Sequence, residues 1–220
     1  MIDSAVIGAH PDELSTILKR RTPDRGIISS VRGSIFFENV EQLARFPLLR
    51  LSHKLHLPFQ LDYLTPETLG LDRIALAAAA IGQYPSQDCL VIDAGTCITY
   101  DFVSADGVYQ GGAISPGVEM RFKAMEHFTA KLPLSDRSYF KDIIGKSTHG
   151  SLASGVVSGV KEEVKGTIEH YVERFPELIT IITGGDASLF DDLLKNTIFA
   201  APDFLLKGLN NILDYHAEMR

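Results

Sequence analysis

Thirteen residues, LVIDAGTCITYDF from Leu90 to Phe102, set an aspartate, a glycine and a threonine into one turn between two apolar runs. Gly95 lets backbone approach an anion closely. Thr96 supplies a hydroxyl and an amide N–H, and Asp93 can hold a cation or a metal-bound water. The set suits a turn that carries phosphate and cation together; the same residues would also serve a plain β-hairpin. Upstream, Tyr63–Arg73 (YLTPETLGLDR) places an acid beside a guanidinium after a glycine turn. Two roles fit these side chains. Asp72 caps the helix that follows, with Arg73 a surface cation; or Asp72 accepts a hydroxyl proton while Arg73 grips a carboxylate in bidentate fashion.

Three further segments carry glycine next to polar side chains. Gly111–Gly117 (GGAISPG) offers close backbone approach and a Pro-Gly break, as a structural turn or a ligand wall. In Gly145–Gly155 (GKSTHGSLASG), Ser147 or Thr148 suits a helix N-cap, with Thr148 facing a substrate as the alternative. Lys146 and His149 read as solvated loop residues. Ile179–Asp186 (ITIITGGD) brings a buried strand to Gly184-Gly185 ahead of a helix. That shape lets an adenosine lie flat on backbone, and it is also a common strand-to-helix turn.

The elements that must position these residues follow from periodicity and punctuation. Ser4–Gly8, Gly26–Val31 and Leu48–Leu51 read as strands separated by helices over Pro11–Arg21 and Ile35–Arg45, a βαβα order that predicts a mostly parallel sheet. Pro58–Arg73 is irregular. Ile74–Ile81 (IALAAAAI) is a helix whose small side chains suit close packing. The pattern then restarts with strands at Cys89–Asp93, Cys97–Val103 and Val108–Ile114. Helices follow at Gly117–His127 and Leu152–Phe175, the latter with Leu152, Val156, Val160, Val164, Ile168 and Val172 along one stripe. Strand Leu178–Thr183, helix Ala187–Lys195, strand Ile198–Ala200 and helix Asp203–His216 complete the reading.

Bulk properties bound the function. A chain of 220 residues with 45% hydrophobic and 22% charged residues buries a real core, as one large domain or two small ones. A net charge of −7 argues against a general binder of nucleic acid or anionic membrane. It leaves room for phosphate ligands, which need only a few local donors. No apolar run reaches transmembrane length and no leader opens the chain, so a cytoplasmic location is expected. Cys89 and Cys97 read as buried thiols without metal-site spacing.

Taken in order, the motifs resemble the type III pantothenate kinases, also known as the Bvg accessory factor family. The resemblance runs from Tyr63 onward. It rests on Gly70-x-Asp72-Arg73, Asp93-x-Gly95-Thr96, Gly111-Gly112-x-Ile114-x-Pro116-Gly117 and Thr129-Ala130-x-Leu132-Pro133. Thr148 with Gly155, Thr183-Gly184-Gly185 and the tail Pro202-Asp203-x-x-Leu206-x-Gly208-Leu209 continue it. It implies an α/β fold of two ribonuclease H-like, actin-like ATPase halves, each a mixed sheet flanked by helices, over residues 1–82 and 83–220. It implies phosphorylation of pantothenate by ATP, the first step toward coenzyme A, in a homodimer that uses Mg²⁺ and a monovalent cation (K⁺ or NH₄⁺). By motif, Asp72 would be the proton acceptor. Tyr63, Gly70, Leu71, Asp72 and Arg73 would line the pantothenate site, and Thr148 would reach it from the partner subunit. Asp93 would hold the monovalent cation, Gly95 and Thr96 would meet ATP, and Gly184 and Gly185 would take its nucleoside.

The family's opening Asp-x-Gly-Asn-Thr turn has no counterpart in the sequence, so the first half is expected to be incomplete at its N-terminus. A start placed at an internal Met is the favoured explanation; a shortened chain or a degenerate member are the others. A chain beginning at Met1 is then expected to be weakly stable or poorly active, because the lost strand leaves unpaired edges. A non-catalytic accessory protein on the same scaffold is the competing function, and a kinase for another small metabolite is a third, since fold does not fix substrate.

Overall fold

The computed structural model describes residues 23–29, 38, 40–42, 44, 46–191, 197–199 and 203–219. The expected strand Ser4–Gly8 and helix Pro11–Arg21 lie outside them. Strands β1 (Gly26–Ile28) and β2 (Leu48–Arg50) pair in parallel, as the βαβ reading requires, with residues 40–42 helical between them. The irregular stretch after β2 holds a two-residue strand, β3 (Gln60–Leu61), and one 3₁₀ turn at Pro66–Thr68.

The main sheet has six strands in the order β3-β6-β5-β4-β7-β8. Strands β4 (Cys89–Ala94), β5 (Cys97–Val103) and β6 (Val108–Pro116) form an antiparallel meander. Strands β7 (Ile179–Thr183) and β8 (Thr197–Phe199) then add in parallel beside β4. This meander-plus-parallel arrangement, flanked by helices, is the ribonuclease H-like half of an actin-like fold. β6 runs two residues further than the periodicity indicates, because its pairing with β5 continues to Pro116 opposite Cys97.

Helices cover both faces of this sheet. Helix α1 (Leu71–Gln83) and helix α4 (Phe204–Glu218) pack on one face, and α2 (Val118–His127) and α3 (Thr148–Arg174) on the other. Alternation along β4 decides which residue goes where. Leu90, Ile92 and Ala94 enter the core under α2 and α3; Cys89 and Val91 face α1 and α4. Both faces are covered, so β4 reads as a continuous apolar run. Each fully buried Leu or Ile there contributes about 1.5–3 kcal/mol.

Small residues set the α1–α4 contact. A Cβ on Gly208 would lie 1.7 Å from the Ala75 carbonyl oxygen, so the helices touch backbone to backbone. Stripe residues Leu152 to Ile168 of α3 are buried as expected, but Val172 is 41% exposed: a strict i,i+4 stripe drifts around the helix, and in the last turn Tyr171 and Phe175 face Phe102 of β5 instead. The helix expected over Ala187–Lys195 begins as a 3₁₀ turn, Ala187–Phe190, and residues 192–196 lie outside the described chain. Cys89 is buried and its thiol is pushed up to about 12 by burial and then by Asp88, whereas Cys97 is only half-buried at the mouth of the β4–β5 turn. Among the described residues no helix is long and apolar enough to cross a membrane.

Candidate active site

The alternation that builds the core also builds the site. Asp93, Thr99 and Asp101 fall on the sheet face covered by α1, whose first turn carries Asp72 and Arg73. Gly70 is the N-cap of α1 and gives no side-chain cap, so Asp72 sits inside the first turn rather than at the cap. Its carboxylate accepts the Arg73 backbone N–H at 2.9 Å and is otherwise exposed. A Cβ on Gly70 would come within 2.4 Å of Asp72 Oδ1, so glycine keeps this carboxylate uncovered.

Arg73 is not a surface cation. Its side chain is 6% exposed, and Nε donates to Asp101 Oδ1 at 2.7 Å. Asp101 is fully buried and also accepts the Tyr109 hydroxyl at 2.8 Å on Oδ1 and the Thr99 hydroxyl at 2.9 Å on Oδ2. Burial works against the Arg73 charge, but Asp101 and then Tyr109 outweigh it and raise its pKa. Arg73 Nη2 is buried without a hydrogen-bond partner. Such an orphan is costly in a folded protein, and an acceptor placed there would complete the set.

A bulge directs Tyr109 to this cluster. Phe102 pairs with Gly111 and Val103 with Tyr109, leaving Gln110 unpaired. Without that extra residue Tyr109 would point to the other face. Gly111 carries the bulge at φ +93°, a conformation that favours glycine. Tyr63 closes the same corner, with its ring centroid 6.0 Å from that of Tyr109, and would meet a Cβ on Gly111 at 3.3 Å.

The turn after β4 lies between two of the other glycine segments. The Gly95 N–H donates to Cys97 O at 2.9 Å and closes it. On one side the Gly117 N–H donates to Thr96 O at 3.1 Å, and a Cβ on Gly117 would sit 2.2 Å from Gly95 O. On the other, the Asp186 N–H donates to Ala94 O at 2.9 Å. Gly184, at φ +96°, lies so close that a Cβ would meet Ala94 O and Asp93 Oδ1, each at 2.4 Å. Arg137 Nη1 secures Asp186 at 2.7 Å. Residues 93–96, Gly117 and residues 183–186, separate in sequence, thus form one backbone-lined wall.

Asp93 is half-buried, and its carboxyl is raised to about 6, first by burial and then by the charges of Asp72 and Asp101. Three carboxylates therefore share this corner with one guanidinium. Among the described residues no group of three or more His, Cys, Asp or Glu side chains could hold a metal ion. The donor set suits a cation held by one carboxylate with carbonyl oxygens and ligand phosphates, which is how hard cations with few protein ligands bind.

The family model for type III pantothenate kinase matches residues 9–170. The chain belongs to that family. A type III pantothenate kinase of Christiangramia forsetii is 52% identical over 171 residues, covering 78% of this chain and 70% of the relative. One of Phocaeicola vulgatus is 45% identical over 212 residues, covering 94% and 86%. A solved Campylobacter jejuni structure, described as a Baf family transcriptional activator, superposes with a TM-score of 0.61 at 22% identity, over 93% of this chain and 89% of that one. The last likeness speaks to the fold alone.

Of the residues expected at a family site, Asp72 is close enough to raise the Asp93 pKa, Gly70, Leu71 and Arg73 flank it at the start of α1, and Tyr63 packs by Tyr109. Gly95, Thr96 and Gly184 lie along the glycine wall, with Gly185 following Gly184. Thr148 stands apart. It is the exposed first residue of α3, behind the Ser147 N-cap that accepts the Gly150 N–H at 3.1 Å. Among the described residues no hydrogen bond joins Thr148 to Asp72 or Arg73. Sequence reading missed Asp101, Tyr109 and Thr99. The signal for Asp101 was available: an acid inside the apolar strand CITYDFV is almost never buried unpaired. It also missed Arg121, which donates through Nε to Pro116 O at 2.9 Å and through Nη2 to Glu163 at 2.6 Å, tying the end of β6 to α3.

Proposed function

We propose that this protein transfers the terminal phosphoryl group of ATP to the hydroxyl of pantothenate, the first step toward coenzyme A. The observation that carries this reading is the pairing, in a member of this family, of an exposed carboxylate with a buried guanidinium that has an unfilled donor. Pantothenate has a hydroxyl at one end and a carboxylate at the other. Asp72 takes the hydroxyl proton as the oxygen attacks in line, and Arg73 holds the carboxylate. Tyr63, Gly70 and Leu71 line the space between. Phosphoryl transfer rests on positioning and charge neutralisation rather than on covalent chemistry. A carboxylate base need only accept the proton late in the reaction.

On the same reading, Gly95 and Thr96 meet the phosphates of ATP, and Gly184 and Gly185 lie under its nucleoside. Asp93 holds a monovalent cation, K⁺ or NH₄⁺, and Mg²⁺ bound with ATP neutralises phosphate charge when present. Two copies of the chain form a homodimer in which Thr148 reaches the partner's pantothenate site. Ile114 at 63%, Phe128 at 81%, Ile143 at 72% and Ile144 at 69% exposure are the apolar side chains a second copy would cover. The division into halves at residues 1–82 and 83–220, and a cytoplasmic location with its ATP supply, belong to the same proposal.

The test couples pantothenate-dependent ADP formation to calorimetric binding of pantothenate, with and without K⁺. Turnover that needs pantothenate and rises with K⁺ supports the proposal. Pantothenate binding without any ADP would assign the chain to the non-catalytic alternative, and absence of both would reject the substrate.

A further inference from the structure

The hydrogen bonding of Asp101 leaves part of Arg73 unused in a specific way. Asp101 Oδ1 takes Arg73 Nε and the Tyr109 hydroxyl, while Oδ2 is occupied by the Thr99 hydroxyl. A buried arginine facing a buried carboxylate ordinarily engages it with two parallel bonds. Here the pair is made through Nε alone, and Nη2 remains buried and unbonded. Thr99 thereby competes with Arg73 for the second oxygen. All three partners come from β5 or the bulge of β6, so their placement is fixed by sheet register rather than by a loop.

We propose that Asp101, with Thr99 and Tyr109, is the positioning apparatus of the substrate site: it fixes Arg73 through Nε and leaves Nη2 for a small-molecule carboxylate. This rests on the reading of Arg73 as the pantothenate carboxylate clamp. The arrangement also sets specificity. A neutral counterpart of the substrate leaves the reserved donor buried and unpaired, so the site rejects it.

Thr99→Val tests the idea without opening a cavity, because the two side chains have nearly the same shape. Freed of Thr99, Asp101 Oδ2 can chelate Arg73 through Nη2 and consume the reserved donor. The dissociation constant for pantothenate, measured by calorimetry, is expected to rise about tenfold, equal to about 1.4 kcal/mol. The constant for the neutral alcohol, in which the carboxylate is reduced, is expected to change less than about twofold. Discrimination between the two ligands falls accordingly, while the melting temperature holds or rises. Asp101→Asn should reduce the same discrimination and also lower the melting temperature; where it does not fold, Thr99→Val and Tyr109→Phe carry the test.

Arg73→Lys separates the two levels of the reading. Unchanged pantothenate binding in that variant removes Arg73 as the clamp, and with it the proposed site. Weakened binding in Arg73→Lys, with unchanged binding and discrimination in Thr99→Val and Tyr109→Phe, overturns the positioning role alone.

Discussion

Gly117→Ala probes the wall that the reading assigns to ATP. The added methyl would start 2.2 Å from Gly95 O and 2.5 Å from Thr96 O, both backbone atoms of the turn itself. A carbon and a carbonyl oxygen need roughly 3.3 Å, so the turn or the start of α2 must move by about 1 Å. Neither moves freely. The turn is tied to β5 through Gly95 and to the Gly184–Asp186 segment through Ala94, and α2 is tied to α3 by the Arg121–Glu163 pair. Overpacking of this kind costs about 1–3 kcal/mol, a melting-temperature drop of about 2–12 °C for a chain of this size. Displacing a positioning element by about 1 Å costs on the order of a hundredfold in rate. The assay is steady-state ADP formation with ATP and pantothenate varied separately, alongside thermal melting. Loss is expected in kcat/KM for ATP, with the calorimetric affinity for pantothenate retained. Gly95→Ala is the control, because its methyl would meet only Cys97 O, at 3.9 Å. That variant should melt like the parent yet use ATP poorly, since the space it fills is the space phosphate needs. Parental ATP kinetics in both variants would refute the assignment of this turn.

Two other predictions rest on stability. Gly208→Ala drives a methyl to 1.7 Å from Ala75 O at the α1–α4 contact, and should cost about 3 kcal/mol, read as a shift in the denaturation midpoint at constant slope. Asp93 gives a pH signature. Its pKa is raised to about 6 in the folded chain, so its contribution to stability is present in full below about pH 4 and is lost as pH rises through about 6. After allowance for solvent screening the loss is about 1–2 kcal/mol. Melting curves between pH 4 and 7 should show that segment in the parent and not in Asp93→Asn, and identical slopes would refute it.

Much of this architecture was legible because local signals and global fold agree. β4 and β5 were readable from apolar runs bounded by the Asp-Ala-Gly-Thr turn, and α3 from its stripe with the Ser147 cap. What could not be read was which residues share a sheet face across strands. That Asp101 and Tyr109 converge on Arg73 depends on register and on the Gln110 bulge, neither of which has a local sequence signature. For the same reason local signals left Arg73 open between a surface cation and a carboxylate clamp: its burial comes from β5, which is distant in sequence. The Val172 discrepancy has a local origin, since steps of four residues drift around a helix of about 3.6 residues per turn and the last turn faces β5 with Tyr171 and Phe175. Thr148 is recognisable by motif, yet among the described residues no hydrogen bond joins it to Asp72, and its proposed role calls on a second copy.

The most direct test of the central claim is turnover of Asp72→Asn beside the parent, with pantothenate and ATP saturating and product confirmed by mass. The substitution removes a proton acceptor and a first-turn negative charge while Oδ1 can still accept the Arg73 N–H, so stability should fall by about 1 kcal/mol or less. Pantothenate-dependent ADP formation is expected from the parent, with a loss of about 10²–10⁴-fold in the variant and pantothenate still bound. Near-parental turnover by Asp72→Asn would contradict that claim.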